Sequence, residues 1–217
     1  MPKLGMAAIR KPQLIAATMD TIGEVGLARA NVQLISRNAG VTPAIINHYF
    51  GGKDGLLEAT MREVLRQLGQ AVRERLARCR PDDVAGRIQA IVGGNFAPEQ
   101  VDARVVKTWL TFWALSMHEP RLHRLQRVNE QRLLSHLRLE LKRVLNPERA
   151  AFIAQGVAAL IDGIWLRGAL SPQGIQVDTA RCLITDYLAH QLPPEVWHPH
   201  TGDAEIPTSN PTTSRQQ

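Results

Sequence analysis

The sequence predicts an all-α protein of about nine helices, in which a three-helix N-terminal unit is joined by a long helix to a larger helical unit. Apolar residues recur at three- and four-residue steps along almost the whole chain, whereas strict alternation is almost absent. Glycines and prolines stand at the ends of these periodic segments, where helices begin and end. A chain of 217 residues with 44% hydrophobic residues can bury the cores of one or two domains.

The N-terminal unit is predicted to span residues 1–52 and to contain three short helices. Asn31 is a good N-cap for the second helix, and Gly40 ends that helix. Thr42 is expected to cap the third helix, with Pro43 at the first position, where no amide hydrogen is needed. The three predicted helices are Pro12–Val25, Val32–Ala39 and Thr42–Phe50.

The remaining elements begin with a long helix that carries a continuous apolar stripe. Three short helices bury little surface alone, so the N-terminal unit must pack against this long helix, which connects the two units. The long helix and its successors are predicted at Lys53–Cys79, Asp83–Gly94, Asp102–His118, Arg121–Val144, Pro147–Leu170 and Asp178–Gln191. The second unit is thus expected at residues 53–193, and residues 194–217, rich in Pro, Thr and Ser, are expected to be a disordered tail.

Charge and cysteine content bear on the type of partner and on the cellular compartment of the protein. A net charge of +6 and a pI near 9.9 favour a polyanionic partner, although many basic proteins bind no nucleic acid. Cys79 and Cys182 are consistent with buried thiols in a reducing compartment or with a disulfide. The N-terminus lacks the apolar core of a signal peptide, and no run reaches the roughly 18 apolar residues of a membrane span. A cytoplasmic protein without a membrane partner is expected.

The second and third predicted helices have the spacing of a helix-turn-helix, two short helices joined by a tight turn that contains glycine. In the third helix, Ile46 and Phe50 share one face, which leaves Ala44, Asn47 and His48 on other faces. A recognition helix contacts base edges mainly through its N-terminal residues. The alternative is an ordinary helical hairpin whose polar residues face water.

Several side chains in this segment are suited to DNA. Asn47 could pair with adenine, and His48 could contact a base edge or a phosphate. Phosphate oxygens would suit Tyr49 and Lys53, which then set the register of the protein on the duplex. The net charge of +3 in residues 1–55 does not decide the question. The predicted DNA contacts are Gln33, Thr42, Pro43, Ala44, Asn47, His48, Tyr49 and Lys53.

The segment AGVTPAIINHYFGGKDGLL resembles the helix-turn-helix of the TetR family of bacterial repressors. That resemblance implies a homodimer that binds double-stranded operator DNA. One position departs from the pattern, because Asn47 stands where many members carry a tyrosine, so a phosphate contact there is absent or replaced. The shared landmarks are Gly40, Thr42, Tyr49, Phe50, Lys53 and Leu56.

Further segments resemble the choline-responsive branch of the same family, even in the ligand-binding half, where family members normally diverge. The resemblance covers about residues 1–193. It implies a repressor of the genes for choline uptake and for the oxidation of choline to glycine betaine, relieved by choline or betaine aldehyde. The matching segments are MPKLGM, HYFGGKDGLLEATMRE, RIQAIVGGNF, KTWLTFWALSMHEP and AALIDGIWLRGAL.

A cation pocket is plausible on physical grounds in the second unit. Trp109 and Trp113 lie four residues apart, and Asp162 interrupts an apolar run three residues before Trp165. Aromatic faces bind quaternary ammonium groups, and a carboxylate offsets the buried charge. Alternatively, the tryptophans are simple core residues, and Asp162 pairs with Arg167 or caps a helix. The predicted effector-binding residues are Asn95, Phe96, Trp109, Phe112, Trp113, Asp162 and Trp165.

The last two predicted helices, within 150–170 and 178–191, would form the dimer interface of a TetR-like protein. Small residues in the first of them permit close helix packing. A buried helix pair within one chain is the alternative. The small residues are Ala154, Gly156, Ala158, Ala159 and Gly163.

No catalytic motif is present, whether a P-loop, GxSxG, HExxH or a dinucleotide-binding fingerprint. The pairs His118 with His123 and His198 with His200 are more typical of surface histidines than of metal ligands. The sequence therefore predicts a protein that is not an enzyme and has no cofactor or metal. Two rival functions remain. One is a TetR-like regulator of another small molecule, such as a drug or an acyl-thioester, and the other is a helical carrier or enzyme without a DNA role.

Overall fold

The computed structural model describes residues 4–197, and over that range it consists of ten α-helices and no strand. The predicted all-α class is thereby confirmed. The helices are α1 (Leu4–Val25), α2 (Val32–Asn38), α3 (Pro43–Phe50), α4 (Lys53–Leu76), α5 (Val84–Asn95), α6 (Pro98–Val101), α7 (Ala103–Ser116), α8 (Pro120–Leu141), α9 (Pro147–Ala169) and α10 (Val177–Gln191).

Two elements differ from the prediction. Helix α1 begins at Leu4 and runs through Pro12, which was predicted to be its start. Pro12 is exposed, so water can satisfy the carbonyl that a proline inside a helix leaves without a donor. Helix α6 was missed because a single turn is too short to show helical periodicity. The other helix ends lie within three residues of their predicted positions.

A small hydrophobic cluster holds the first four helices together. Its four fully buried side chains, Leu14, Ile35, Ile46 and Leu56, come one each from α1, α2, α3 and α4. Gly55 lets α4 begin close to α3, since a Cβ at that position would collide with the backbone oxygen of Phe50. Helix α3 is therefore fixed to the first turn of α4.

A larger hydrophobic cluster lies in the second half of the chain and shares α4 with the small one. After Leu56, the same helix contributes Met61, Val64, Leu65, Leu68 and Val72 to this larger cluster. Helix α4 therefore has one end in each cluster, as expected of a connector.

The chain still packs in the larger hydrophobic cluster after residue 194, where the disordered tail was predicted to start. Trp197 is buried and packs against the larger cluster, so the boundary at 194 is too early. The rest of the predicted tail, residues 198–217, lies outside the described residues. Cys79 and Cys182 are both free, half-buried thiols, and the disulfide alternative does not hold.

Helix α9 is long and apolar enough to cross a membrane by length and composition. It also contributes seven buried residues, among them Ile153, Val157 and Ile161, to the core. Core helices commonly combine these properties, so the feature is weak evidence for a membrane span.

A second connection between the two halves runs from α7 to α1. The Arg104 guanidinium lies 2.7 Å from the Asp20 carboxylate on α1 and 3.1 Å from Asp102 at its own N-cap. One turn further along α7, Lys107 Nζ donates to the carbonyl oxygen of Gly23 at 2.5 Å. Helix α1 is thus tied to α7 as well as packed on α4.

Candidate DNA-binding surface and effector site

The helix-turn-helix is shaped by local backbone chemistry. The Asn31 side chain caps α2 by accepting from the amide of Leu34 at 2.9 Å. The turn after α2 places Gly40 at φ +64°, a conformation that favours glycine. Gly51 then ends α3 in a left-handed conformation, and its amide donates to the Asn47 carbonyl.

Most of the predicted DNA contacts lie on the surface of this motif. The side chains of Asn47 and His48 are exposed on α3, whereas Ile46 of the same helix is completely buried. The motif therefore presents polar side chains outward from a fixed apolar base. The exposed predicted contacts are Gln33, Thr42, Pro43, Ala44, Asn47 and His48.

Tyr49 and Lys53 are only half exposed. Tyr49 packs against the small hydrophobic cluster, and its ring lies 4.9 Å from the His48 ring, centroid to centroid. Lys53 begins α4, where free backbone N–H groups attract anions. Both positions suit contacts to phosphate from the edge of the motif.

Thr42 occupies the N-cap position of α3, as predicted, but its hydroxyl makes no capping hydrogen bond. Pro43 already removes one of the free N–H groups of the first turn, so less capping is needed. The expected capping role of Thr42 is therefore wrong in this detail. Its exposed hydroxyl is left available for another partner.

Five of the seven predicted effector residues line one cavity in the second half of the chain. The cavity holds about 350 Å³ of empty space, part of it open to solvent. Its predicted lining residues are Asn95, Trp109, Trp113, Asp162 and Trp165. Sequence reasoning missed the other lining residues, Leu68, Gln100, Gln126, Asn129 and Ile161.

Phe96 and Phe112 do not line this cavity, contrary to the prediction. Both side chains are almost completely buried in the larger cluster. Phe112 instead borders a smaller apolar cavity beside Ile22 of α1 and Thr60 of α4. The two phenylalanines therefore pack in the core beside the larger cavity and do not face it.

The three tryptophans are fixed relative to one another. The Trp109 ring lies 6.1 Å from that of Trp113 and 6.2 Å from that of Trp165, centroid to centroid. Trp165 Nε1 donates to the backbone oxygen of Asn95 at 3.1 Å, and Trp109 Nε1 donates to Gln100 Oε1 at 3.3 Å. With these indole N–H groups satisfied, the rings are held in place and can offer their faces to a cation.

Asp162 supplies the negative charge at the cavity. The residue is exposed at the opening, yet protein atoms crowd its carboxyl group, and this desolvation raises its pKa to about 6. The negative charge of Glu130 on α8 raises the pKa further. Among the described residues, no ion pair joins Asp162 to Arg167 or to any other base.

Helices α9 and α10 expose apolar side chains on their outer faces. The guanidinium of Arg149 lies 5.4 Å from the centre of the exposed Phe152 ring. Some of the predicted small residues pack within the chain, and others lie at the surface. Ala154 and Ala158 are buried within the chain, and a Cβ at Gly156 would collide with Tyr187 of α10. Ala159 is exposed, and a Cβ at Gly163 would meet open space. The exposed large apolar residues here are Phe152, Leu166, Leu170 and Leu183.

Comparisons with known proteins agree with this arrangement. Residues 14–60 match the model of bacterial regulatory proteins of the TetR family, and residues 84–193 match that of the BetI-type transcriptional repressor C-terminal domain. The HTH-type transcriptional regulator BetI of Vibrio parahaemolyticus is 59% identical over 88% of this chain and 96% of its own length. BetI 1 of Chromohalobacter salexigens is 53% identical over 93% of this chain and 99% of its own.

A solved structure shares the fold at lower identity. It is that of a protein from Saccharomonospora viridis, described as a transcriptional regulator and determined in complex with choline. The match has a TM-score of 0.73 and 20% identity, over 85% of this chain and 98% of the other. By its sequence matches, the chain belongs to the TetR family of helix-turn-helix transcriptional regulators, in the BetI-type branch.

Proposed function

We propose that this BetI-type DNA-binding repressor is released from its operator by choline, or by the related quaternary amine betaine aldehyde. Its targets on this proposal are the genes for choline uptake and for the conversion of choline to glycine betaine. The observation that carries the proposal is a single cavity that combines three tryptophans with the carboxylate of Asp162. Support also comes from the choline complex of the S. viridis protein, which shares the fold.

The chemistry of the cavity favours a small cation. A trimethylammonium group is attracted to aromatic faces within about 6 Å of the ring centre, and three rings converge here. Asp162 and Glu130 compensate a positive charge that has lost part of its water. The same two carboxylates would repel the carboxylate of glycine betaine, so the end product of the pathway is a poor effector. A long acyl-thioester or a bulky drug fits this small polar cavity less well.

Operator binding would use α3 as the recognition helix. Asn47, His48 and Ala44 read base edges, while Tyr49 and Lys53 contact phosphates. TetR-family regulators bind operator DNA and dimerise. The apolar outer faces of α9 and α10 are the proposed contact with a second copy. Such a dimer would set the two recognition helices for half-sites about one DNA turn, roughly 34–36 Å, apart.

A titration of the full-length protein with choline tests the proposal. Operator DNA taken from upstream of its own gene should be bound in the absence of choline and released at millimolar choline. Calorimetry should show binding of choline to the protein alone. Absence of heat together with unchanged operator affinity would leave another small molecule as the effector, and absence of operator binding would refute the DNA role.

Choline affinity should depend on pH in a defined direction. An acid with a pKa of about 6 is mostly ionised at pH 7 and mostly protonated at pH 5. Since choline binds the ionised form better, we expect its affinity to fall by about tenfold between pH 7 and pH 5. Calorimetric titration at both values measures this, and an affinity that stays constant or rises on acidification would contradict a role for the Asp162 charge.

Effector binding is proposed to reach the DNA-binding unit through α7 as well as α4. Helix α7 carries Trp109 and Trp113 at the cavity and, about half a turn to two and a half turns earlier, the contacts of Lys107 and Arg104 with α1. A ligand that shifts α7 would therefore also shift α1. Such a shift releases DNA only if choline binds the displaced arrangement better.

The double change Asp20→Asn with Lys107→Met should weaken this coupling. Because the contacts are exposed, their loss costs little stability, but we expect the ratio of operator affinities without and with choline to fall roughly three- to tenfold. Choline affinity measured by calorimetry should stay close to that of the unmodified protein. Asp82→Asn, which removes an exposed ion pair with Arg80 between α4 and α5, is the matched control. An unchanged ratio in the double variant would leave α4 as the route.

A further inference from the structure

Gln100 lines the proposed effector cavity and carries a buried donor without a partner among the described residues. It lies on the short helix α6, is 1% exposed, and accepts a hydrogen bond from Trp109 Nε1 through its side-chain oxygen. An indole N–H can only donate, so the oxygen of this amide must face Trp109. That contact fixes the direction of the NH2 group, and Nε2 has no hydrogen-bond partner among the described residues.

Gln126 lines the same cavity and carries a buried acceptor. It lies on α8, and its side-chain Oε1 is inaccessible to solvent and has no partner in the described part of the chain. A buried polar atom without a partner costs about 1–3 kcal/mol, and folded proteins seldom tolerate one without a reason. Two such atoms of opposite character in one cavity suit a ligand group that both accepts and donates a hydrogen bond.

We propose that Gln100 and Gln126 form a hydroxyl subsite, which makes an alcohol-bearing quaternary amine the effector. The inference rests on the proposed function, since Asp162 and the tryptophans hold the cationic end. A hydroxyl oxygen accepts from Gln100 Nε2, and the hydroxyl hydrogen is donated to Gln126 Oε1. In the free protein, a water molecule can make the same two bonds and be displaced without loss.

The subsite predicts an order of affinity among chemically related ligands. An aldehyde oxygen accepts from Gln100 but has no hydrogen for Gln126, and a carboxylate cannot donate to Gln126 either. An alkyl group of the same size leaves both amides without partners. Choline is therefore selected over betaine aldehyde and glycine betaine by the polar end of the cavity, in addition to the charge of Asp162.

The decisive comparison is between choline and n-propyltrimethylammonium, in which a methyl group replaces the hydroxyl at nearly equal size. We expect the unmodified full-length protein to bind choline about 10- to 100-fold more tightly, because the analogue leaves buried amide groups unpaired. Gln126→Met removes the acceptor and keeps the side-chain length. Gln100→Glu keeps the acceptor for Trp109 and removes the donor. Calorimetry with both ligands on each protein gives the ratio of the two affinities. A substitution that affects the binding of every cation changes both affinities equally and leaves this ratio unchanged.

The expected result is a ratio that falls by about three- to tenfold in each variant, because one of the two hydrogen bonds to the hydroxyl is lost while the other remains. Gln131→Met, an exposed glutamine on the same helix as Gln126, is the control and should keep the original ratio. Thermal melting and operator binding confirm that each variant folds, and either glutamine variant alone can decide the outcome. A ratio near unity in the unmodified protein, or an unchanged ratio in the folded variants, would overturn the subsite while choline remains the effector. Failure of the unmodified protein to bind either ligand would overturn the effector proposal and the subsite together.

Discussion

Replacing Asp162 by asparagine is expected to weaken choline binding about 10- to 100-fold while leaving operator binding in the absence of choline unchanged. The substitution keeps the size of the side chain and removes its charge. At an effective dielectric constant of about 20, opposite charges roughly 4 Å apart attract by ~4 kcal/mol, and part of this gain offsets the desolvation of the cation. One cation–π contact contributes less, about 0.5–2 kcal/mol, so the carboxylate should have the larger effect.

The measurement pairs choline calorimetry with operator release. The Asp162→Asn protein should stay on its operator at choline concentrations that release the unmodified protein, and the fall of choline affinity between pH 7 and pH 5 should vanish. Asp178→Asn, at an exposed position at the start of α10, is the control for removing one negative charge elsewhere. Equal choline affinities in the unmodified and Asp162→Asn proteins would show that the tryptophans alone retain the cation. A loss of operator binding without choline would instead point to a structural role.

Helical periodicity predicted nine of the ten helices found in residues 4–197, because each of the nine is long enough to repeat its apolar face. It failed for α6, which makes a single turn. That failure also concealed Gln100, a polar residue whose burial only the folded chain shows. The start of α1 was misplaced for a related reason, since a proline is tolerated inside a helix where its turn is exposed.

The predicted cavity residues show what a one-dimensional pattern can and cannot give. Trp109, Phe112 and Trp113 share one broad helical face, and the sequence treats them alike. In the fold, Trp109 and Trp113 border the larger cavity, while Phe112 points towards α1 and α4. Gln126 was missed because it lies in a helix rich in arginine and glutamine, where one more polar residue predicts a solvated face. Which polar residue turns inward depends on packing between distant segments.

On the DNA side, the double change Asn47→Ala with His48→Ala should reduce specific operator binding by about 100- to 1,000-fold. Each good base contact contributes about 1–3 kcal/mol of discrimination, and both side chains project from the exposed face of α3. The buried side of the helix, with Ile46 at its centre, is untouched, so the fold should be retained. The affinity for unrelated DNA should change little, because non-specific binding depends on phosphate contacts.

Lys53→Gln provides the contrasting control for the double variant. Lys53 stands at the start of α4 and is expected to contact phosphate, so its loss should weaken binding to operator and unrelated DNA alike. The slope of log affinity against log salt concentration should then fall by about one unit, whereas the double variant should keep its slope on unrelated DNA. Mobility shifts over a series of salt concentrations, with operator and scrambled duplexes, separate the two effects. If the double variant keeps the ratio of specific to non-specific affinity, α3 does not read the bases through Asn47 and His48. In that case the asparagine that stands in place of the family's tyrosine has no part in operator choice.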